Sequence, residues 1–411
     1  MNDISIFIAG AAGEGIQTIG DVVSHALLKH GLAVFAFREY ESRIRGGDSS
    51  VRIRISEPPY NAPRDDADIL IAMNPHAANA YLPRVRSGGF AIGDGVEPES
   101  GVTLSFKDLA SEHGGAELYA NAAAAGALCG VLGLPREILE ATLEDSFARH
   151  GDEAVQSNLA AARAGYAAVE DQEKNTNIGS IPRRGSHSFL TGHQALTLAA
   201  AASGCRFMSA YPMSPSTSII TELARDQELG VFVEQAEDEI AAINMALGAS
   251  AAGARAMVAT SGGGFALMVE SLSLAGMMEI PIVIVLAQRP GPATGLPTRT
   301  AQEDLLFALH AGHGEFPRLM LAPSDPQNVI DETVRAFRLS EAYQVPAILL
   351  TDQFLDDAAF SLTELTVPED AADRLLADPN AFDGYERYAV TESGVSPRLH
   401  IGQSNRLVCL D

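Results

Sequence analysis

The feature that most constrains this chain is an alternation, made twice, of short apolar β-rich runs with helical stretches. In the N-terminal part the runs are Ile4–Ala9, Leu32–Phe37 and Ile69–Met73, with a helical stretch from Ile16 to His30. Alanine-rich segments from Glu117 to about Asp171 read as packed helices. A second series follows: Phe207–Ala210, Val231–Glu234, Ala256–Thr260, Ile282–Ala287, Leu319–Leu321 and Ala347–Leu350. Strands that alternate with helices predict an α/β fold, with parallel sheets covered on both faces. Residues 172–188 between the two series are polar, aperiodic and punctuated by Gly and Pro, so they predict a linker. The expected division is therefore 1–171, a linker 172–188, and 189–357. A C-terminal extension, 358–411, loses periodicity and is expected to lead toward a further domain.

Charge and cysteine usage narrow the function classes. The formal net charge is −25, which disfavours nucleic acid or an anionic membrane surface as partner, because phosphate binding needs excess positive charge. The three cysteines, Cys129, Cys205 and Cys409, are scattered, as expected in a reducing compartment. None forms a CxxC pair, so the chain does not by itself supply the thiolates of an iron–sulfur cluster. The histidines form no HxH or HExxH pattern, and no metal site is expected. The chain shows neither a leader-like start nor a long apolar span, and the expectation is a cytoplasmic protein.

Several loops between strand and helix carry candidate chemistry. Gly10-Ala-Ala-Gly-Glu-Gly15 has the spacing GxxGxG rather than the dinucleotide GxGxxG. It is either a tight turn or a cradle for an anion at a helix N-terminus. A ribose-binding acid would sit near Glu39. Arg38-Glu-Tyr-Glu-Ser-Arg43-Ile-Arg45-Gly-Gly offers guanidinium forks suited to phosphate or carboxylate, or else internal salt bridges with Glu39 and Glu41. In Tyr211-Pro-Met-Ser-Pro-Ser-Thr217, two prolines stiffen a loop that presents Ser214, Ser216 and Thr217. Ser216 or Thr217 also suits a helix N-cap. Glu237, Asp238 and Glu239 open a helix, where acids complement the macrodipole. Ser261-Gly-Gly-Gly-Phe265 is a second glycine turn, and residues 288–305 form a long Gly/Pro loop with Arg289 and Arg299.

Taken together these stretches resemble the 2-oxoacid:ferredoxin oxidoreductases, specifically a fused gamma–alpha subunit of the 2-oxoglutarate type. GEGIQTIGDVV, REYESRIRGGDSS and VRIRIS are similar to the family's gamma domain, with Asp48 where His or Asn is usual. YPMSPST is similar to the YPITPSS-type motif, and TSGGGF to a loop that usually reads SGPGF, so Gly263 stands where Pro is usual. RPGPATGLPTRTAQEDL is similar to the RxGPSTGLPTRxxQxDL loop. The resemblance implies a gamma-type α/β domain, then an α/β domain of the pyrimidine-side thiamine-diphosphate-binding type with a mostly parallel sheet. It implies coenzyme A-dependent oxidative decarboxylation of 2-oxoglutarate, with pyruvate or branched-chain 2-oxoacids as alternatives. A non-catalytic scaffold that keeps the fold is a further alternative.

The same resemblance implies roles for residues. Glu239, or Glu237 if the alignment shifts, would bond the aminopyrimidine, and Gly262 and Gly263 would lie beside the cofactor. Ser214, Thr217, Arg289 and Arg299 would hold the substrate. Arg299 is expected to take the carboxylate common to all 2-oxoacids and Arg289 the distal one. Arg38, Arg43 or Arg45 would lie near coenzyme A. Mg²⁺ with the diphosphate, and a [4Fe–4S] cluster, would belong to a beta subunit, and ferredoxin would take the electrons. The implied assembly is a dimer of alpha–beta pairs.

Overall fold

The computed structural model describes residues 3–41, 46–97, 101–172, 178–185, 188–378, 380, 385–400 and 402–403. The chain divides into two compact units, Met1–Phe189 with Ala358–Glu364, and Leu190–Asp357 with Leu365–Asp411. The stretch 358–411 is thus shared between them.

The strands of the first unit are β1 (Asp3–Ala12), β2 (Val34–Glu39), β3 (Gly46–Ser56), β4 (Ala67–Ala72), β5 (Val85–Gly93) and β6 (Gly101–Thr103). Then follows β7 (Ser188–Thr191), where the chain leaves the unit. The strands of the second are β8 (Cys205–Ala210), β9 (Phe232–Gln235), β10 (Arg255–Thr260), β11 (Ile282–Gln288), β12 (Leu319–Leu321) and β13 (Pro346–Asp352). The last strand, β14 (Ala359–Leu362), returns to the first unit.

The first sheet runs in the order β6-β5-β4-β1-β3-β2-β14-β7. It is mixed rather than parallel, which corrects the expectation for this unit. β1, β4, β5 and β6 run parallel, but β3 lies between β1 and β2 and is antiparallel to both. The cause is the connection 40–45, which is too short for a parallel crossover and long enough for an antiparallel return. Along β3, Val51, Ile53 and Ile55 are buried on one face while Arg52 and Arg54 lie on the other. Arg54 grips Asp3 at 2.9 and 2.8 Å and lies over the Tyr60 ring at 4.4 Å. β1 is buried on both faces: Ile4, Ile6 and Ile8 join one cluster, Phe7 and Ala9 another. Burying each such large apolar side chain contributes about 1.5–3 kcal/mol.

The second sheet, β12-β13-β11-β10-β8-β9, is parallel throughout. β10, β11 and β13 are buried along their whole length, as expected when helices cover both faces. The chain steps from β8 outward to β9 and then crosses back to β10. That reversal opens a crevice at the carboxyl ends of β8 and β10, where open α/β sheets bind ligands. The opposite edge is closed by charge. Arg255, at the start of β10, donates to Glu341 Oε2 at 2.7 Å and to the Ala371 carbonyl at 3.0 Å. Arg374 and the Leu375 N–H also reach Glu341, at 2.8 and 3.1 Å, so the segment after 365 is pinned along this edge. Burial alone raises the Glu341 pKa, but these hydrogen bonds outweigh it and hold the carboxyl below the usual range.

The first unit's helices cross at glycines. A Cβ on Gly126, in helix Ala120–Leu132, would lie 2.0 Å from the Ala162 carbonyl oxygen. A Cβ on Gly165, in helix Asp152–Ala167, would lie 1.9 Å from that of Ala123. Gly165→Ala should therefore separate the two helices and cost about 1–3 kcal/mol. Thermal unfolding checks this; an unchanged midpoint would contradict the packing described.

Candidate active site

Three segments of the second unit converge on the crevice. After β10, Ser261 precedes the helix Gly262–Met277, so the glycine turn forms that helix's first turn. Two of its glycines lie against neighbouring side chains. A Cβ on Gly264 would stand 2.5 Å from Glu239 Oε1 and 2.1 Å from Thr260 Oγ1. A Cβ on Gly262 would stand 2.6 Å from both carboxylate oxygens of Asp304. Gly263 has only the Ala293 carbonyl, at 3.6 Å, and tolerates a side chain. The turn is thus flanked by two carboxylates, and Gly264, which the sequence did not single out, is the residue beneath Glu239.

Glu239 begins the helix Glu239–Ala251 but does not cap it. Asp238 is the cap, accepting from the Ala241 N–H at 2.7 Å. Glu239 is 3 % exposed, and its buried Oε1 has no hydrogen-bond partner. Burial pushes its pKa up, its own N–H opposes this, and the neighbouring Asp238 adds to the rise. Glu237 is exposed. The structure therefore separates the two candidate acids, and only Glu239 has a buried oxygen available to a ligand.

After β8, the loop 211–216 is braced from within. Ser216 is fully buried and donates to the Met213 carbonyl at 2.7 Å, so its hydroxyl does not cap the helix Thr217–Arg225. Ser214 and Thr217 are half-buried. The Ser214 carbonyl accepts from Arg289 Nη1 at 2.6 Å.

Arg289 follows β11. It is 8 % exposed, and burial lowers its pKa while Asp304 opposes the shift. A recess of about 310 Å³ is lined by Gly262, Gly263, Arg289, Pro290 and Asp304, among others. Arg299 is exposed and does not line it. The long loop that carries both arginines is tied down at its return. The Asp304 N–H donates to Gln288 Oε1 at 3.0 Å, and Gln302 Nε2 donates to Asp352 Oδ2 at 2.6 Å. Asp304 and Asp352 were missed in the sequence. The Gln-Glu-Asp run that closes the loop was the available signal.

The first unit has a separate recess of about 370 Å³ at the N-terminus of helix Ile16–Lys29, lined by Gly13, Gly15, Gln17, Thr18, Tyr40 and Ser49, among others. The glycine loop beside it is closed by its own acid: Glu14 accepts from the Ala11 N–H at 2.9 Å and from Asn74 at 2.6 Å. Glu39, at the position a ribose acid would take, is instead paired with Arg52 at 2.5 Å. Neither feature suits a dinucleotide. Arg38 pairs with Asp21 at 2.5 Å, and Arg43 and Arg45 lie outside the described residues. Cys129 and Cys205 are buried, with burial pushing both thiols up to about 12, while Cys409 lies outside the described residues. Among the described residues no cluster is placed to hold a metal, and no helix is long and apolar enough to cross a membrane.

These features coincide with one family. Residues 198–393 match the thiamine-diphosphate-binding domain of pyruvate flavodoxin/ferredoxin oxidoreductases, and residues 5–168 match the pyruvate ferredoxin/flavodoxin oxidoreductase domain. The chain is 30% identical to the alpha subunit of 2-oxoacid:ferredoxin oxidoreductase 2 of Aeropyrum pernix, over 99% of this chain and 74% of that one. It is 31% identical to a 2-oxoglutarate oxidoreductase subunit of Mycobacterium tuberculosis, over 86% of this chain and 61% of that one. The 2-oxoglutarate:ferredoxin oxidoreductase of Magnetococcus marinus, solved with 2-oxoglutarate, coenzyme A and succinyl-CoA bound, superposes with a TM-score of 0.90. It shares 32% identity, over all of this chain and 74% of that one. The chain belongs to the 2-oxoacid:ferredoxin oxidoreductase family, as an alpha subunit with a gamma-like domain fused in front.

The raised Glu239 pKa has a consequence for stability. The unfolded chain loses this proton near the ordinary 4.5, the folded chain only at higher pH, so folding is penalised once pH exceeds 4.5. Glu239→Gln should raise the melting temperature near neutral pH, and the gain should shrink as pH falls toward that value. A gain independent of pH, or a loss, would contradict the desolvated carboxylate.

Proposed function

We propose that this chain is the pyrimidine-side and substrate-binding subunit of a coenzyme A-dependent 2-oxoglutarate:ferredoxin oxidoreductase, completed by a beta subunit. The observation that carries the reading is the buried, unpartnered Oε1 of Glu239 above Gly264. Such an atom fits the ring nitrogen of an aminopyrimidine, with which a carboxyl of raised pKa shares a proton. When bound, thiamine diphosphate supplies the electron sink for decarboxylation. Glu239 holds the proton at the ring nitrogen and so favours the imino tautomer. Gly262 and Gly263 keep the wall of the recess clear of side chains, and Ser214 and Thr217 offer hydroxyls to the oxo acid.

Arg289 is the better partner for the carboxylate common to all 2-oxoacids, and Arg299 for the distal one, the reverse of the assignment expected above. Arg289 is buried beside Ser214 and faces the recess, whereas Arg299 is solvent-exposed, where a longer substrate's far end would emerge. Arg38, Arg43 and Arg45 are assigned to the coenzyme A side. The beta subunit supplies the Mg²⁺–diphosphate site and the [4Fe–4S] cluster, and ferredoxin accepts the electrons in the cytoplasm. The exposed Leu296, Leu305 and Leu306 around the loop suit burial by that partner in a dimer of alpha–beta pairs. Support for 2-oxoglutarate comes from the named substrates of the Mycobacterium and Magnetococcus relatives.

The test is viologen reduction by the co-expressed alpha–beta complex with thiamine diphosphate, Mg²⁺, coenzyme A and either 2-oxoglutarate or pyruvate. Coenzyme A-dependent reduction that prefers 2-oxoglutarate is expected; no reduction by a loaded complex contradicts the reading. Arg289→Ala should lower kcat/KM by about a hundredfold or more with either acid, as for loss of a buried charge partner. Arg299→Ala should spare pyruvate. The opposite pattern would restore the reverse assignment.

A further inference from the structure

Beside Arg289 the recess holds a carboxylate to which no role has so far been given. Asp304 immediately precedes the short helix Leu305–His310, and its backbone N–H is tied to Gln288. Both its carboxylate oxygens press against Gly262, 2.6 Å from where a Cβ would stand, and its Oδ2 is buried without a hydrogen-bond partner. Arg289 lines the same recess, and its guanidinium donates to a neutral acceptor, the Ser214 carbonyl. Among the described residues no direct ion pair joins Arg289 to Asp304, so the two charges face one recess across its open space.

We propose that Asp304 is the counter-charge of Arg289 and sets how tightly the recess takes a carboxylate, with one proton taken up by Asp304 as the anion binds. The inference rests on the reading of this recess as the 2-oxoacid site. Its logic is electrostatic. In the free protein burial and the adjoining Glu303 push the Asp304 pKa up, and the Arg289 charge opposes the rise. A substrate carboxylate at Arg289 neutralises a charge that stabilises the Asp304 anion and adds a like charge beside it. Asp304 then binds a proton from solvent more tightly than before. The other charged groups around it are Glu239, on the far side of the glycine turn, and Glu303, which accepts from the Gly291 N–H at 2.9 Å. Asp304 is thus a positioning and affinity-setting residue that acts through Arg289.

The experiment is calorimetric titration of 2-oxoglutarate, and separately pyruvate, into the alpha–beta complex, wild type and Asp304→Asn. It is run from pH 4.5 to pH 9 in buffers of differing ionisation heat, so that protons taken up are counted directly. The wild type should take up a proton over part of this range and bind more weakly as pH rises. Asp304→Asn should take up none and should bind up to about tenfold more tightly at the alkaline end, as expected for removal of one like charge. Proton uptake that persists in Asp304→Asn, or affinity that does not improve at alkaline pH, overturns the proposal. Asp304→Ser, measured alongside with melting temperatures, separates loss of charge from loss of fold: a properly folded Ser variant must also lack the uptake. Wild-type complex that binds neither acid at any pH contradicts the 2-oxoacid reading itself. Binding without proton uptake contradicts only the role of Asp304.

Discussion

The close approach of a carboxylate to a helix's first turn organises the second unit. Glu239 reaches Gly264 only because that residue has no side chain, and Thr260 at the end of β10 closes the same contact. Glu239 and Asp304 lie against the turn at Gly264 and Gly262, while Gly263 between them has only the Ala293 carbonyl near it. The parallel sheet sets the geometry. Its order reversal between β8 and β10 brings the loops carrying Ser214 and Gly262 to one edge of the crevice, and β11 delivers Arg289 to the same end.

The two ends of this sheet handle charge in opposite ways. At the amino-terminal edge Glu341 is buried but receives Arg255, Arg374 and a backbone N–H, so its charge is fully compensated. At the carboxyl-terminal edge Glu239 and Asp304 each keep a buried oxygen without a partner. An uncompensated buried acid costs stability, and such costs are tolerated where a ligand later supplies the missing partner. Asp356 and Glu332 in the same unit also keep such an oxygen, so it is the recess beside Asp304 and Arg289, not burial alone, that sets the site apart.

Much of the architecture was legible in the sequence because burial on both faces leaves continuous apolar runs: β10, β11 and β13 were all located from that signal. β3 was not located, although VRIRIS alternates with the period of a strand and its valine and isoleucines are the ones buried. β14 escaped because a four-residue strand, chain-distant from β2 with which it pairs, carries little local signal. Among site residues, the sequence brought Glu239 forward by motif, but its separation from Glu237 is a matter of burial, which spacing alone does not fix. Asp304 was hidden for a different reason. It reads as an acid at the start of a helix, and only the fold sets it against Gly262.

The central claim is that the buried Oε1 of Glu239 meets the aminopyrimidine of thiamine diphosphate and governs its tautomer. Circular dichroism of the thiamine-loaded alpha–beta complex reads that tautomer directly, without turnover. The account predicts an iminopyrimidine band in the wild type and in Glu237→Gln, and its loss in Glu239→Gln with the cofactor still bound. A band that survives in Glu239→Gln, or disappears in Glu237→Gln instead, would contradict it.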